Sequence, residues 1–222
     1  MCAYYKRSKV EINGFTAKYY DILMDIITFG IYSSLMQKAV RLMGIKSEDR
    51  IIDLGAGTGR NACLMMKYLS TKGELIGLDI SNEMIVQFKS KCAGLANVKI
   101  INQRIDKALP YEDEFDKAFI SFVLHGFPQE IRIRIIRNAS KVLKKHGEFF
   151  IMDYNEFSVE EMPLYLRIPF KLIECPYAFD FIERDSQKML AEEGFDRFEK
   201  YLFFGGYIRL LKGVKYHDNA AE

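Results

Sequence analysis

The sequence predicts an α/β fold, a mostly parallel sheet with helices on both faces that is finished by an antiparallel hairpin. Three observations predict it. Short apolar, β-branched runs alternate with stretches of helical periodicity through the middle of the chain. The first such run ends in a glycine-rich turn that opens a helix. Near the C-terminus, two β-prone runs flank Gly205-Gly206.

Residues 15–45 read as helical. Tyr19, Tyr20, Leu23 and Ile27, then Leu35, Met36, Ala39, Val40 and Met43, fall at helical spacing, with Gly30 interrupting them. Arg50 to Leu54 reads as a buried strand, and Asn61 to Leu69 as a helix. Leu75 to Leu78 is the second strand, and Ser81 caps a helix carrying Met84, Ile85 and Phe88. Val98 to Ile101 and Ala118 to Phe122 are the next strands. Pro128 opens a helix that runs through Leu143, and Glu148 to Met152 is the fifth strand. Asp185 or Ser186 starts a helix that Gly194 ends. Arg197 to Phe204 and Tyr207 to Leu211 form the hairpin. With no internal repeat and no linker, one domain is expected over residues 1–222. Residues 1–45 would form a helical cap and residues 156–184 an insertion.

Composition narrows the function classes. Hydrophobic residues make up 49% and charged residues 28%, enough for a core and unlike a disordered chain. A net charge of +2 is too mild for a dedicated nucleic-acid binder, although it leaves an RNA substrate open. Cys2, Cys63, Cys92 and Cys175 are scattered, with no CxxC, which argues against a metal site or a disulfide framework. The polar start, Met1 to Val10, and the lack of a long apolar run predict a cytoplasmic protein.

The chemistry concentrates at Asp53-Leu54-Gly55-Ala56-Gly57-Thr58-Gly59, between a strand and a helix. Glycines there permit a sharp turn and close approach of a ligand, and the helix N-terminus offers free N–H groups. Asp79 follows Gly59 by twenty residues and ends the next strand, where an acid can accept both hydroxyls of a ribose. A nicotinamide or flavin fold would want Gly-x-Gly-x-x-Gly and a pyrophosphate. Arg60 breaks that spacing, and Asp53 would repel the pyrophosphate. A carboxylate at Asp53 suits a ligand with a cationic end instead.

Together with Gly77-Leu78-Asp79-Ile80-Ser81, this turn resembles the first two motifs of class I S-adenosylmethionine-dependent methyltransferases. The resemblance implies a Rossmann-like, seven-stranded sheet and S-adenosyl-L-methionine as cofactor. It implies that Asp53 and the loop Gly55, Ala56, Gly57, Thr58 and Gly59 hold the methionine part and that Asp79 holds the ribose. Ile80 and Met84 would flank the adenine. After the third strand, Ile105 and Asp106 compete for the place that meets the adenine amino group. Ser121 and Tyr20 complete the expected cofactor set, Tyr20 closing over the methionine end.

Tyr19-Tyr20-Asp21, Thr28-Phe29-Gly30, Leu109-Pro110-Tyr111, Phe115-Asp116, Ile120-Ser121-Phe122 and Gly205-Gly206-Tyr207-Ile208 resemble the ubiquinone/menaquinone-biosynthesis C-methyltransferases. The chain departs from them in two places. It carries His125-Gly126 where that family tends to carry Arg-Asn, and it has no tryptophan. The acceptor implied is a small, partly hydrophobic molecule, a quinone precursor or a lipid-like compound. A macromolecular substrate and a cofactor-binding module without turnover remain open. The cysteines also leave room for arsenic methylation.

His125 follows the fourth strand at the ligand-binding edge and is the candidate general base. Tyr154 follows the fifth strand and is the second catalytic candidate. Asp153 beside it reads as a loop cap. Residues 156–184, rich in apolar and aromatic side chains around Pro163, Pro169 and Pro176, are the expected lid over the acceptor. Arg167 and Lys171 on it would touch an anionic membrane surface. No metal is expected. The oligomeric state is not legible.

Overall fold

A computed structural model describes residues 31–216. Tyr20 and the helical reading of residues 15–30 lie outside them. The chain runs α1 (Ile31–Leu42), β1 (Arg50–Leu54), α2 (Arg60–Met65), β2 (Glu74–Asp79), α3 (Asn82–Lys91), β3 (Val98–Asn102) and β4 (Phe115–Ser121). It continues with α4 (Gln129–Val142), β5 (Leu143–Tyr154), α5 (Leu164–Ile173), α6 (Pro176–Ile182), α7 (Ser186–Glu192), β6 (Phe195–Phe203) and β7 (Ile208–Lys215).

The seven strands form one sheet in the order β3-β2-β1-β4-β5-β7-β6. β1 to β5 pair in parallel, and β7 is antiparallel to both β5 and β6. This is the predicted parallel sheet closed by a hairpin.

Alternation along each strand gives the sheet two cores. Ile52, Leu54, Ile76, Leu78 and Ile151 pack with Ile131, Ile135, Ile136 and Ala139 of α4 and with Phe181, Met189 and Leu190 of α6 and α7. Ile51, Leu75, Phe119, Phe150 and Met152 pack on the other side with Met36, Ala39, Val40 and Phe88. Asp53 shares the parity of Ile51, and Asp153 that of Ile151. The two acids therefore stand on opposite faces of one sheet edge.

Several local expectations are refined. The helix after the glycine turn stops at Met65, not Leu69. Pro169 lies inside α5 and does not end it. The hairpin turns through a 3-10 segment, Phe204–Gly206, not a two-residue turn. Ser81 caps α3 by accepting from the Met84 N–H, and Asp185 caps α7 through the Lys188 N–H.

Candidate active site

Strand order reverses between β1 and β4, where open α/β sheets bind ligands beyond their carboxyl ends. The β1 loop enters there with φ of 83° at Gly55 and at Gly59. A Cβ on Gly55 would stand 2.9 Å from the Val123 side chain, and one on Gly59 2.9 Å from Phe88. Glycine is thus required at both positions by conformation and by space. Gly57 faces open space, so the loop leaves room on its outer side for a ligand.

Asp79 accepts hydrogen bonds from the Gly57 N–H at 2.8 Å and the Ser81 N–H at 2.9 Å. It therefore fixes the glycine loop to the end of β2. Burial raises its carboxyl above the usual range, and those backbone donors pull it back in part. Asp53 is different. It is 1% exposed, and neither carboxylate oxygen has a hydrogen-bond partner among the described residues. Burial, with the nearby Asp79 charge, pushes its carboxyl up to about 8. A buried orphan carboxylate is costly and calls for a partner. A cationic ammonium or sulfonium end supplies one, so the donor set fits S-adenosylmethionine.

The other predicted cofactor residues divide. Ala56 and Thr58 are buried within the loop, Met84 is buried on α3, and Ile80 is half-buried between them. Ser121 accepts from the Asn61 side-chain amide at 3.0 Å, linking the end of β4 to α2. Ile105 packs in the core with Leu109 and Leu124. Asp106, beside it, is drawn inward as well. It is buried and makes a two-pronged ion pair with Arg104, at 2.9 and 2.7 Å.

After β4, Phe122 takes a positive φ of 53°, which sends Val123 over Gly55 and leads into a 3-10 turn carrying His125. His125 is buried. Its Nδ1 lies 2.7 Å from Asp153 Oδ1, and its backbone N–H donates to Asp153 Oδ2 at 3.2 Å. Asp153, read from sequence as a loop cap, is thus the partner of the histidine. The Tyr154 ring packs 5.0 Å from the imidazole. Glu174, which the sequence did not single out, receives the Tyr154 hydroxyl at 2.6 Å and stands 3.7 Å from His125 Nε2. Burial, the largest single influence on His125, disfavours its charge. Asp153 and Glu174 outweigh that, and its pKa is raised.

Two buried arginines support this edge. Arg132 is fully buried. It donates to the Leu124 and His125 carbonyls at 3.2 and 3.4 Å, to the Tyr177 carbonyl at 2.5 Å and to Asp180 at 2.6 Å. It ties the His125 turn to α6. Arg209 pairs with Glu156 at 2.6 Å and donates to Ser186 Oγ at 2.5 Å. Both occupy core-facing positions: Arg132 shares its helix face with Ile135, Ile136 and Ala139, and Arg209 shares its strand face with Leu211.

An aromatic chain leads outward from the site. Tyr154 meets Phe122 and Phe170 edge-on, and Phe170 meets Phe157 and Phe179.

The seven-stranded sheet with this glycine loop, Asp79 beside it and the unsatisfied Asp53 carboxylate at one edge has the form of a Rossmann-like cofactor-binding fold. A family model described as Methyltransferase domain matches residues 45–197, and the chain belongs to that family. It is an S-adenosylmethionine-dependent methyltransferase. It is 25% identical over 221 residues to the ubiquinone/menaquinone biosynthesis C-methyltransferase UbiE of Francisella philomiragia, covering 89% of this chain and 86% of the relative. The UbiE protein of Proteus mirabilis is 24% identical over 230 residues, covering 90% and 87%. Among solved structures, the YcgJ protein of Bacillus subtilis superposes with a TM-score of 0.62 at 17% identity, covering 82% of this chain and 99% of that one. A SAM-dependent methyltransferase from Aquifex aeolicus gives 0.60 at 18%, covering 81% and 89%. These two likenesses concern the fold.

Proposed function

We propose that this enzyme methylates a small, partly hydrophobic acceptor with an ionisable ring hydroxyl, of the quinone-precursor class, and that His125 is its general base. The observation that carries this is the buried His125–Asp153 pair at the inner end of an aromatic chain. The names of the UbiE relatives point to the same acceptor class.

When bound, the cofactor supplies a methyl group activated on a sulfonium. The chain's own residues do the rest. Asp53 neutralises the cationic end, the Gly55 to Gly59 loop admits it, and Asp79 accepts from the ribose. Ile80 and Met84 flank the adenine. Asp153 fixes the imidazole through Nδ1, which aims Nε2 toward the acceptor side. His125 takes the acceptor's proton, and Asp153 stabilises the imidazolium that results. Phe122, Tyr154 and Phe170 exclude water and orient a ring. Residues 156–184 form the lid of this pocket.

The test uses methyl-labelled S-adenosylmethionine with lipid and aqueous extracts of the host. Label in a lipid-soluble product supports the reading, and chromatography names the product. Label only in polar metabolites overturns it. Bound cofactor with no label in either extract favours a macromolecular substrate or a module without turnover.

A further inference from the structure

α5 is turned inside out. At 100° per residue, Leu164, Tyr165, Ile168, Leu172 and Ile173 fall on one broad face, and that face is the solvent side. Tyr165 and Leu172 are each 75% exposed, Leu164 and Ile173 61%, and no residue of the helix is buried. Only Phe170 and Arg167 lean toward the protein. Scattered exposed apolar residues need no explanation, but a contiguous helical face of them marks a docking surface.

The flank of this face says what it fits. Arg167 and Lys171, one turn apart, border it, and no acid lies within the helix. Glu160 precedes the helix, holds Arg167 through its carbonyl at 3.0 Å and lies 3.7 Å from Lys171. Apolar side chains bordered by long cationic ones match the boundary between acyl chains and anionic headgroups, where lysine and arginine stems lie along the surface with their charges in water. A soluble partner of this chain would need to answer an almost wholly apolar face about 15 Å long.

We infer that α5 is an interfacial anchor that lays its outer face into an anionic lipid bilayer, with the acceptor pocket behind it. The inner side of the same helix continues into that pocket. Phe170 packs 5.2 Å from Tyr154, and Glu174, one residue past the helix, holds the Tyr154 hydroxyl. A hydrophobic acceptor can then pass from lipid to His125 without crossing water. This deepens the reading of a partly hydrophobic acceptor. Its test uses vesicles that contain no acceptor and reads binding, not turnover, so the two readings fail separately.

The full chain is mixed with phosphatidylcholine vesicles, and with vesicles in which phosphatidylglycerol replaces a third of the lipid, and bound protein is measured by flotation. Partition is expected to be roughly ten-fold stronger on the anionic vesicles, given two flanking cations. The double variant Ile168→Ser, Leu172→Ser should lose most of it, roughly ten-fold or more, with an unchanged thermal midpoint because both side chains are exposed. The chain has no tryptophan, so Leu172→Trp is a clean reporter. Its emission should shift to the blue when anionic vesicles are added. Four results overturn the inference: no partition, partition that the double variant keeps, emission already blue-shifted and indifferent to vesicles, or a lipid-free dimer that the double variant dissolves. The third would place another part of the chain on the face, and the fourth a second copy.

Discussion

His125 Nδ1 and Asp153 Oδ1 stand 2.7 Å apart at the carboxyl ends of adjacent strands β4 and β5, both residues buried. Asp153 raises the imidazole pKa against the opposing effect of burial. A base must be neutral to accept a proton, so kcat/KM should rise with pH through a midpoint above the ordinary 6.5 of histidine. Asp153→Asn removes the larger raising influence. The midpoint should fall, and the rate should drop by about 10²–10⁴-fold, as should that of His125→Ala. A pH–rate profile of Asp153→Asn that overlays the parent would remove His125 from the reaction.

Asp53 should cost the cofactor-free protein stability. Its folded carboxyl titrates near 8 against 3.8 for an ordinary aspartate. The folded state therefore holds a proton that the unfolded chain releases above about 4. Stability contributed here falls as pH rises through that window, and the full penalty applies above 8. Asp53→Asn should stabilise the cofactor-free protein by about 1–3 kcal/mol at pH 8.5, and by much less at pH 4. It should also weaken S-adenosylmethionine binding in calorimetry. Urea unfolding at the two pH values checks the first claim. Equal stability of parent and variant at pH 8.5 contradicts it.

The features legible in the sequence were local ones. The glycine turn, the Ser81 cap and the strand alternation each act within a few residues, so the letters carry them. The fold follows because a parallel sheet needs continuous apolar strands. The histidine's partners were not legible. Asp153 is 28 residues from His125, and Glu174 arrives from the end of α5. Such pairs exist only once the strands and the segment that follows α5 are folded together. Residues 105 and 106 were ambiguous for another reason. Loop length after β3 decides which side chain faces inward, and both are buried, Ile105 in the core and Asp106 against Arg104. The apolar letters of α5 suit a lid or a buried helix equally well. Only the fold shows that they face out.

Arg132 should be a structural clamp with a catalytic consequence. It is fully buried and satisfies the carbonyls of Leu124, His125 and Tyr177. Arg132→Met fills part of the volume but takes this buried donor from the Leu124, His125 and Tyr177 carbonyls, while Asp180 keeps Arg184. A loss of about 3 kcal/mol in denaturant unfolding is expected. Because the His125 turn is then released from α6, kcat should fall even at temperatures where the variant is folded. Asp180→Asn is the milder control, since Asp180 is partly exposed and Arg132 keeps its carbonyl partners. A loss of under about 0.5 kcal/mol for Arg132→Met would show that the cluster is not holding the turn.

Glu174 should tune the base without replacing it. It lies 3.7 Å from Nε2, farther than Asp153 lies from Nδ1, and it also holds the Tyr154 hydroxyl. In the proposed reaction Nε2 must face the acceptor, so Glu174 has to give way when the acceptor enters. Glu174→Gln keeps the shape and removes the charge. The free enzyme should then show a lower midpoint in kcat/KM, because one raising influence is gone. The shift should be smaller than that of Asp153→Asn. The midpoint in kcat should move little, since that profile reports the complex in which the carboxylate has been displaced. A residue with only a packing role would move neither midpoint. A catalytic acid would lower kcat at every pH. Glu174→Gln therefore separates a gate from both, and equal shifts in the two profiles would mean that Glu174 stays on the histidine throughout turnover.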